Sequence, residues 1–310
     1  MKPTRDGYGE ALLILGETNP DVVVLDADLA KSTRADWFWK KYPNRFFDMG
    51  ISEQDMLATA TGLALGGKIP FASTYGVFVA GRAWDQIRTC ICYMNANVKI
   101  GGAHGGVSVG PDGGTHQSLE EYALMRVLPN MTLISPCDAI ETRKATLASA
   151  VLHGPVYLRF AREATPIITT EETLFEIGKA ITLAEGSDLT IIASGPVVYE
   201  AILASKELAK QNIRAAVINM HTLKPLDEAA IIAAALKTRA IVTVEEHQIY
   251  CGLGGAVAEC LAKSVPTPVE MVGVLDMFGQ SGTPEELAAA YNLTHKDIVV
   301  AAEKVLLRKM

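Results

Sequence analysis

Short apolar runs alternate with helix-like stretches along almost the whole chain. Val22 to Leu25, Ile69 to Ala72, Val98 to Ile100, Met131 to Ile134 and Val156 to Phe160 read as buried strands. Between them, Gly7 to Glu17, Arg34 to Lys41, Leu57 to Leu65, Tyr75 to Met94, Glu120 to Met125 and Ala139 to Leu152 read as helices. Strands joined by helical crossovers pair in parallel, and both faces of such a sheet are covered. The polar stretch from Arg162 to Phe175, with Pro166 and a Thr-Thr-Glu-Glu-Thr run, interrupts the pattern. The same alternation then resumes with strands at Leu189 to Ala193, Ala215 to Asn219, Ala240 to Val244 and Val269 to Val274. The expected fold is therefore α/β in two domains, 1–168 and 169–310, each a mostly parallel sheet flanked by helices. Thr294 is expected to cap a last amphipathic helix reaching Arg308.

Composition narrows the class. A net charge of -7 over 310 residues argues against nucleic acid as the main partner. The five cysteines are odd in number, form no CxxC pair and have no zinc-like spacing. That pattern suits a reduced, cytoplasmic protein. No charged-then-apolar leader opens the chain, and no apolar run approaches the length of a membrane span.

In open parallel sheets, ligands bind beyond the carboxyl ends of the strands. Four polar clusters fall there: Asp28 to Ser32, Glu53, Ser73 to Phe78, and His104 to His116. Glu53 follows Ser52, a candidate N-cap, where the positive end of the helix dipole favours a carboxylate. The glycine-rich loop Gly101 to Gly114 brings Asp112 and His116, four residues apart, within reach of one pocket. No Gly-Lys-Ser/Thr follows, so it is not a phosphate P-loop. Tyr75 and Phe78 share a helix face and are either core residues or a platform for a flat ring. Arg5 and Arg162 are either surface charges or, if they converge, a phosphate clamp. Glu245-Glu246-His247, with Gly252 to Gly255, forms a strand end that reads as interface or structure rather than catalysis.

Taken together, Asp26-Ala27-Asp28-Leu29, Gly50-Ile51-Ser52-Glu53-Gln54-Asp55-Met56, Ser73-Thr74-Tyr75, Asp112-Gly113-Gly114-Thr115-His116-Gln117, Leu128-Pro129-Asn130-Met131 and Glu245-Glu246-His247 resemble the C-terminal half of transketolases. The resemblance spans a thiamine-diphosphate pyrimidine-binding domain and a transketolase C-terminal domain. It implies that Glu53 hydrogen-bonds a pyrimidine nitrogen of thiamine diphosphate, that Tyr75 and Phe78 surround that ring, and that Leu29, beside Asp28, is the wedge holding the cofactor bent. It further implies that Arg5, Ser32, His104 and Arg162 contact a sugar phosphate. Asp112 and His116 would contact hydroxyls of the ketose donor and act with Glu53 in catalysis. The Gly-Asp-Gly signature of the diphosphate- and Mg²⁺-binding domain is absent from this sequence. A separate N-terminal subunit is therefore expected to hold the diphosphate and Mg²⁺, this chain supplying no metal ligand. The expected assembly is α2β2 around a homodimer core. The expected reaction moves a two-carbon ketol unit from a ketose phosphate to an aldose phosphate. Gly81, where transketolases often carry an aromatic, and Arg82-Ala83-Trp84-Asp85-Gln86 resemble instead deoxyxylulose-phosphate synthase and the β subunits of 2-oxo-acid dehydrogenases. Such a half-enzyme is the alternative, and His104 with Arg5 and Ser32 argues against it. A non-catalytic assembly subunit is a third reading, opposed by the joint presence of Glu53, Asp112 and His116.

Overall fold

The computed structural model describes residues 1–309. Two sheets organise the chain. The first has seven strands in the order Thr222–Lys224, Thr132–Ile134, Val156–Phe160, Lys99–Ala103, Ile69–Tyr75, Val22–Asp26, Phe46–Asp48. All pairs are parallel except the first, so one edge strand comes from the C-terminal half of the chain and runs antiparallel. The second sheet has five strands in the order Val269–Val274, Ile241–Gln248, Leu189–Ser194, Ala215–Asn219, Ile181–Ala184, with only the last pair antiparallel. The expected α/β architecture of mostly parallel sheets is what forms.

The strands have the composition that burial on both faces requires. Every residue of Val22–Asp26, Val156–Phe160 and Leu189–Ser194 is buried. Helices cover both faces; Thr4–Thr18 lies along Ala139–Val151 on one side of the first sheet. One continuous apolar cluster runs from Leu57 and Tyr157 of the first sheet's layers to Ile192, Ile218 and Leu253 of the second. The two halves therefore share buried surface instead of meeting across a polar linker.

Local chemistry ends the elements where the sequence suggests, with two exceptions. Thr294 caps the helix His295–Leu307 in a reciprocal pair with Asp297, as expected. Ser52 stands at the N-cap position of Glu53–Leu65, but its side chain makes no capping bond. The single helix expected from Tyr75 to Met94 is broken: Gly76–Arg82 ends at Ala83 (φ -112°, ψ 20°), and a wide helical turn at Ile87–Cys92 follows Trp84–Gln86. At the break the Trp84 indole N–H donates to the Leu124 carbonyl (3.1 Å), a tertiary contact that periodicity does not reveal.

A buried ion-pair network joins the halves. Arg159 is 2% exposed; its Nε donates to Glu121 (2.6 Å), one terminal nitrogen to the Tyr122 hydroxyl (3.0 Å) and the other to the Glu246 carbonyl (2.7 Å). The Tyr157 hydroxyl donates to the second Glu121 oxygen (2.5 Å). Two charges removed from water this completely hold only while each keeps its partners. Arg159→Met should therefore cost about 3–5 kcal/mol of stability in urea unfolding. A loss below about 1 kcal/mol, the scale of an exposed pair, would show that the network is not what joins the halves.

Candidate functional site

Strand register sets the site. Asp26 pairs with Ser73 and with Asp48, Tyr75 with Ala103, and Ala103 with Phe160. The segments that leave these strands, 27–34, 49–53, 76–82, 104–116 and 161–163, therefore emerge side by side beyond the carboxyl edge of one sheet.

The first turn is held from below. Buried Asp26 accepts from the Leu29 amide (2.5 Å) and the Thr33 hydroxyl (2.9 Å), and Asp48 accepts from the amides of Asp28 (3.2 Å) and Gly50 (2.9 Å). Burial pushes the Asp26 carboxyl up to about 7. Asp28 takes a left-handed conformation (φ 60°) and exposes its side chain, while Leu29 is half-buried against the apolar layer that contains Tyr75. Of the two, Leu29 is thus fixed in place and Asp28 points to solvent.

A group of flat side chains follows. The His104 ring stacks on Tyr75 at 3.9 Å, and Tyr75 stacks on Phe78 at 5.6 Å. His116 meets Tyr75 and Phe78 edge-on at 6.0 and 5.3 Å. The platform reading of Tyr75 and Phe78 thus gains two imidazoles. His104 is 1% exposed, holds φ 60° and leaves its Nδ1 buried without a hydrogen-bond partner. Burial, then the charges of Arg5, Arg162, His116 and Arg34, push its imidazole down to about 3. It is a neutral ring set among cations.

Those cations converge. Arg5 donates to the Ser32 carbonyl (3.0 Å), and its Nε is buried and unpartnered. Arg162 donates to the Val109 carbonyl (3.1 Å) and to Asp112 (3.0 Å). Arg34, anchored on Asp6 at 2.7 Å, is a third cation here. Three guanidiniums around a neutral imidazole make a site for an anion, and an unsatisfied buried donor on Arg5 favours the same kind of guest. Asp112 is engaged with Arg162, and His116 with the aromatic group and the Thr115 hydroxyl (2.9 Å), so the two share a loop without touching.

The glycine-rich loop is pressed between the halves. A side chain at Gly105 would strike Arg159 and Glu121, and one at Gly106 (φ 90°) would strike Glu246. Glu246 accepts from the Ser108 amide (2.5 Å), and Gln117 donates to the carbonyls of Val107 and Gln280 (3.0 Å each). His247 accepts from the Tyr122 amide (3.1 Å), and Glu245 accepts from the Leu253 and Gly254 amides (2.7 and 2.8 Å) at the start of Leu253–Lys263. The Glu245-Glu246-His247 strand end is thus bonded within the fold, and it fixes the glycine-rich loop.

Glu53 completes the set. It is 5% exposed and accepts from the Arg82 guanidinium at 3.2 Å, and that guanidinium lies 4.1 Å above the Phe78 ring. Arg34, Arg82 and Gln117 escaped the sequence analysis as site residues. For Arg82 a signal existed, since it follows Phe78 by four residues on one helix. For Arg34 none did, because its place depends on Asp6 in another helix.

Comparison with known proteins gives the family. Residues 1–167 match the family described as transketolase, pyrimidine binding domain, and residues 178–298 match transketolase, C-terminal domain. The chain therefore belongs to the transketolase family. It is 46% identical to a solved structure described as a split gene transketolase, inactive beta4 tetramer, with a TM-score of 0.94 and full coverage of both chains. It is 42% identical to the 6-deoxy-6-sulfo-D-fructose transketolase subunit SqwH of Clostridium sp. (strain MSTE9), covering 98% of this chain and 95% of that one. It is 38% identical to an apulose-4-phosphate transketolase subunit of Phocaeicola vulgatus, covering 97% of each. Membership of the family implies dependence on thiamine diphosphate. The residues present fit its aminopyrimidine: a nearly buried carboxylate beside an aromatic face is the acceptor-and-stack pair such a ring takes. Among the described residues, no group of three or more His, Cys, Asp or Glu is disposed to hold a metal ion.

A neutral buried His104 has a consequence for stability. Its proton affinity is depressed in the folded chain and restored on unfolding, so its contribution is whole above pH 6.5 and is lost as pH falls towards 3. His104→Asn tolerates the left-handed backbone and does not titrate. In chemical denaturation, wild type should lose stability relative to His104→Asn by about 1.4 kcal/mol per pH unit across that window. Parallel pH profiles for the two proteins would contradict this assignment.

Proposed function

We propose that this chain is the C-terminal subunit of a two-chain transketolase, transferring a two-carbon ketol unit between an anionic ketose and an anionic aldose. One observation carries the reading. Glu53 with its aromatic face and the Arg5–Arg34–Arg162 cluster around His104 stand at the carboxyl edge of the same sheet, a ring site beside an anion site. The relatives named for a sulfonated fructose and for apulose 4-phosphate support an anionic sugar as the substrate class. Their description as subunits supports a separate partner. That partner would hold the diphosphate and Mg²⁺, in an α2β2 assembly. The five cysteines are free, which fits a reducing, cytoplasmic setting.

Thiamine diphosphate, when bound, supplies the nucleophilic carbon and electron sink on which the ketol unit is carried. The protein's part is placement and proton control. Glu53 would share a proton with the pyrimidine, and its low solvent access would hold that proton in place. Leu29, fixed through Asp26, would be the apolar wedge that holds the cofactor, with Asp28 beside it. Tyr75 and Phe78 would flank its ring. Arg5, Ser32, His104 and Arg162 receive the sugar's anionic end, where His104, being neutral, donates without adding repulsion from like charge. Asp112 and His116 bind the donor's hydroxyls, and the Arg162 contact orients Asp112.

Mixing the chain with an N-terminal transketolase subunit, thiamine diphosphate and Mg²⁺ should produce ketol transfer that neither chain gives alone. Decarboxylation of a 2-oxo acid in its place would favour a dehydrogenase β subunit or a deoxyxylulose-phosphate synthase half. In the reconstituted enzyme Glu53→Gln should lower turnover at least ~10²-fold, with the assembly intact by sedimentation. Turnover within a few-fold of wild type would remove Glu53 from the role of proton partner.

A further inference from the structure

Arg82 makes two contacts that belong to a cofactor. Its guanidinium centre lies 4.1 Å over the Phe78 ring, and one terminal nitrogen lies 3.2 Å from Glu53 Oε1. A planar group that stacks on an aromatic face and donates to a nearly buried carboxylate reproduces what an aminopyrimidine would do there. A ring reaching both Phe78 and Glu53 needs the space that spans them, and the guanidinium holds that space.

We infer that Arg82 is an internal competitor for the aminopyrimidine, closing the ring site of the cofactor-free subunit and leaving it when the cofactor binds. The inference rests on the transketolase reading of Glu53 and Phe78. The reason for a stand-in is physical. Glu53 is 5% exposed, and its carboxylate accepts no side-chain or backbone bond other than that from Arg82 among the described residues. Without Arg82 that carboxylate would have no hydrogen-bond partner and no counter-charge among the described residues. The means of departure are present too. Arg82 is the last residue of Gly76–Arg82, and its side chain is 52% exposed, in a cleft shared with Ile51, Ser52, Gln54 and Asp55. Its own carbonyl accepts from the Gln54 amide (3.0 Å), so the backbone stays pinned while the side chain moves. At Gly81, a Cβ would meet nothing within 4 Å, so the backbone beside Arg82 is uncrowded.

A competitor on the same polypeptide weakens cofactor binding by the fraction of molecules in which the site is closed. The cofactor's diphosphate, held by the partner, would then have to supply the binding energy that opens the site, which couples cofactor loading to subunit assembly. The test is the affinity of the reconstituted two-subunit enzyme for thiamine diphosphate with Mg²⁺, measured by equilibrium dialysis and not by turnover. If the site is closed in nine molecules of ten, Arg82→Ala should tighten binding roughly tenfold. Unchanged or weaker binding by Arg82→Ala would overturn the inference, showing that Arg82 is idle or contacts the bound cofactor. A Glu53→Gln change added to Arg82→Ala separates the two layers of the argument. If the double variant binds as tightly as Arg82→Ala, the pyrimidine reading of Glu53 fails and this inference with it. If the double variant binds more weakly while Arg82→Ala equals wild type, the pyrimidine reading stands and only the competitor is rejected.

Discussion

The Arg159 guanidinium is the point on which the site geometry rests. It sits on the strand Val156–Phe160, directly beneath the glycine-rich loop, and reaches Glu121, Tyr122 and the backbone of Glu246 at once. These partners lie on two further segments, the helix Glu121–Arg126 and the strand Ile241–Gln248, so a single buried charge sets the spacing between the first sheet, that helix and the second sheet. The loop is squeezed so closely that a Cβ has no room at residue 105, against Arg159 and Glu121, or at residue 106, against Glu246. A buried ion pair adds little net stability over an apolar replacement, but it tolerates few alternative arrangements. Here that selectivity lands on Asp112 and His116, which the loop carries.

Charge is arranged in the same economical way above the sheet. Three guanidiniums converge where the sheet edge opens, and the imidazole buried among them is held neutral by burial and by their charges. Asp112 and Asp6 bind two of the arginines, and the Ser32 carbonyl binds the third, so the cations are held in fixed orientations. On the other side, Arg82 bridges Glu53 and Phe78. For the three converging arginines, orientation fixed in advance lowers the ordering cost that binding must otherwise meet.

Much of this was legible in the residues. Val22–Asp26 and Val156–Phe160 are largely apolar runs because both faces of a parallel strand are buried, and such runs are easy to find. Thr294 with Asp297 is a local cap and needs no tertiary information. Glu53, Tyr75, Phe78, His104, Asp112 and His116 sit at strand ends, where parallel topology puts ligands. The break at Ala83 was not legible, because it accompanies the Trp84 bond to Leu124, forty residues away in the chain. Nor was the return of Thr222–Lys224 to the edge of the first sheet, a three-residue strand too short to show a period.

By itself, the sequence determined the alternation of strands and helices, the family, and the residue types able to hold a ring and an anion. The alternation follows from periodicity and composition, which act over a few residues at a time, and the family from a resemblance carried by short motifs such as Asp112-Gly113-Gly114-Thr115-His116-Gln117. The tertiary structure alone decided which of those groups meet. It put Arg34 beside Arg5 and His104, left Asp28 facing solvent while Leu29 packed inward, and laid Arg82 across Phe78 and Glu53. Contacts of that kind depend on strand register and on how two sheets share one buried surface. No local pattern encodes either, because both are set by packing between segments that lie far apart in the chain.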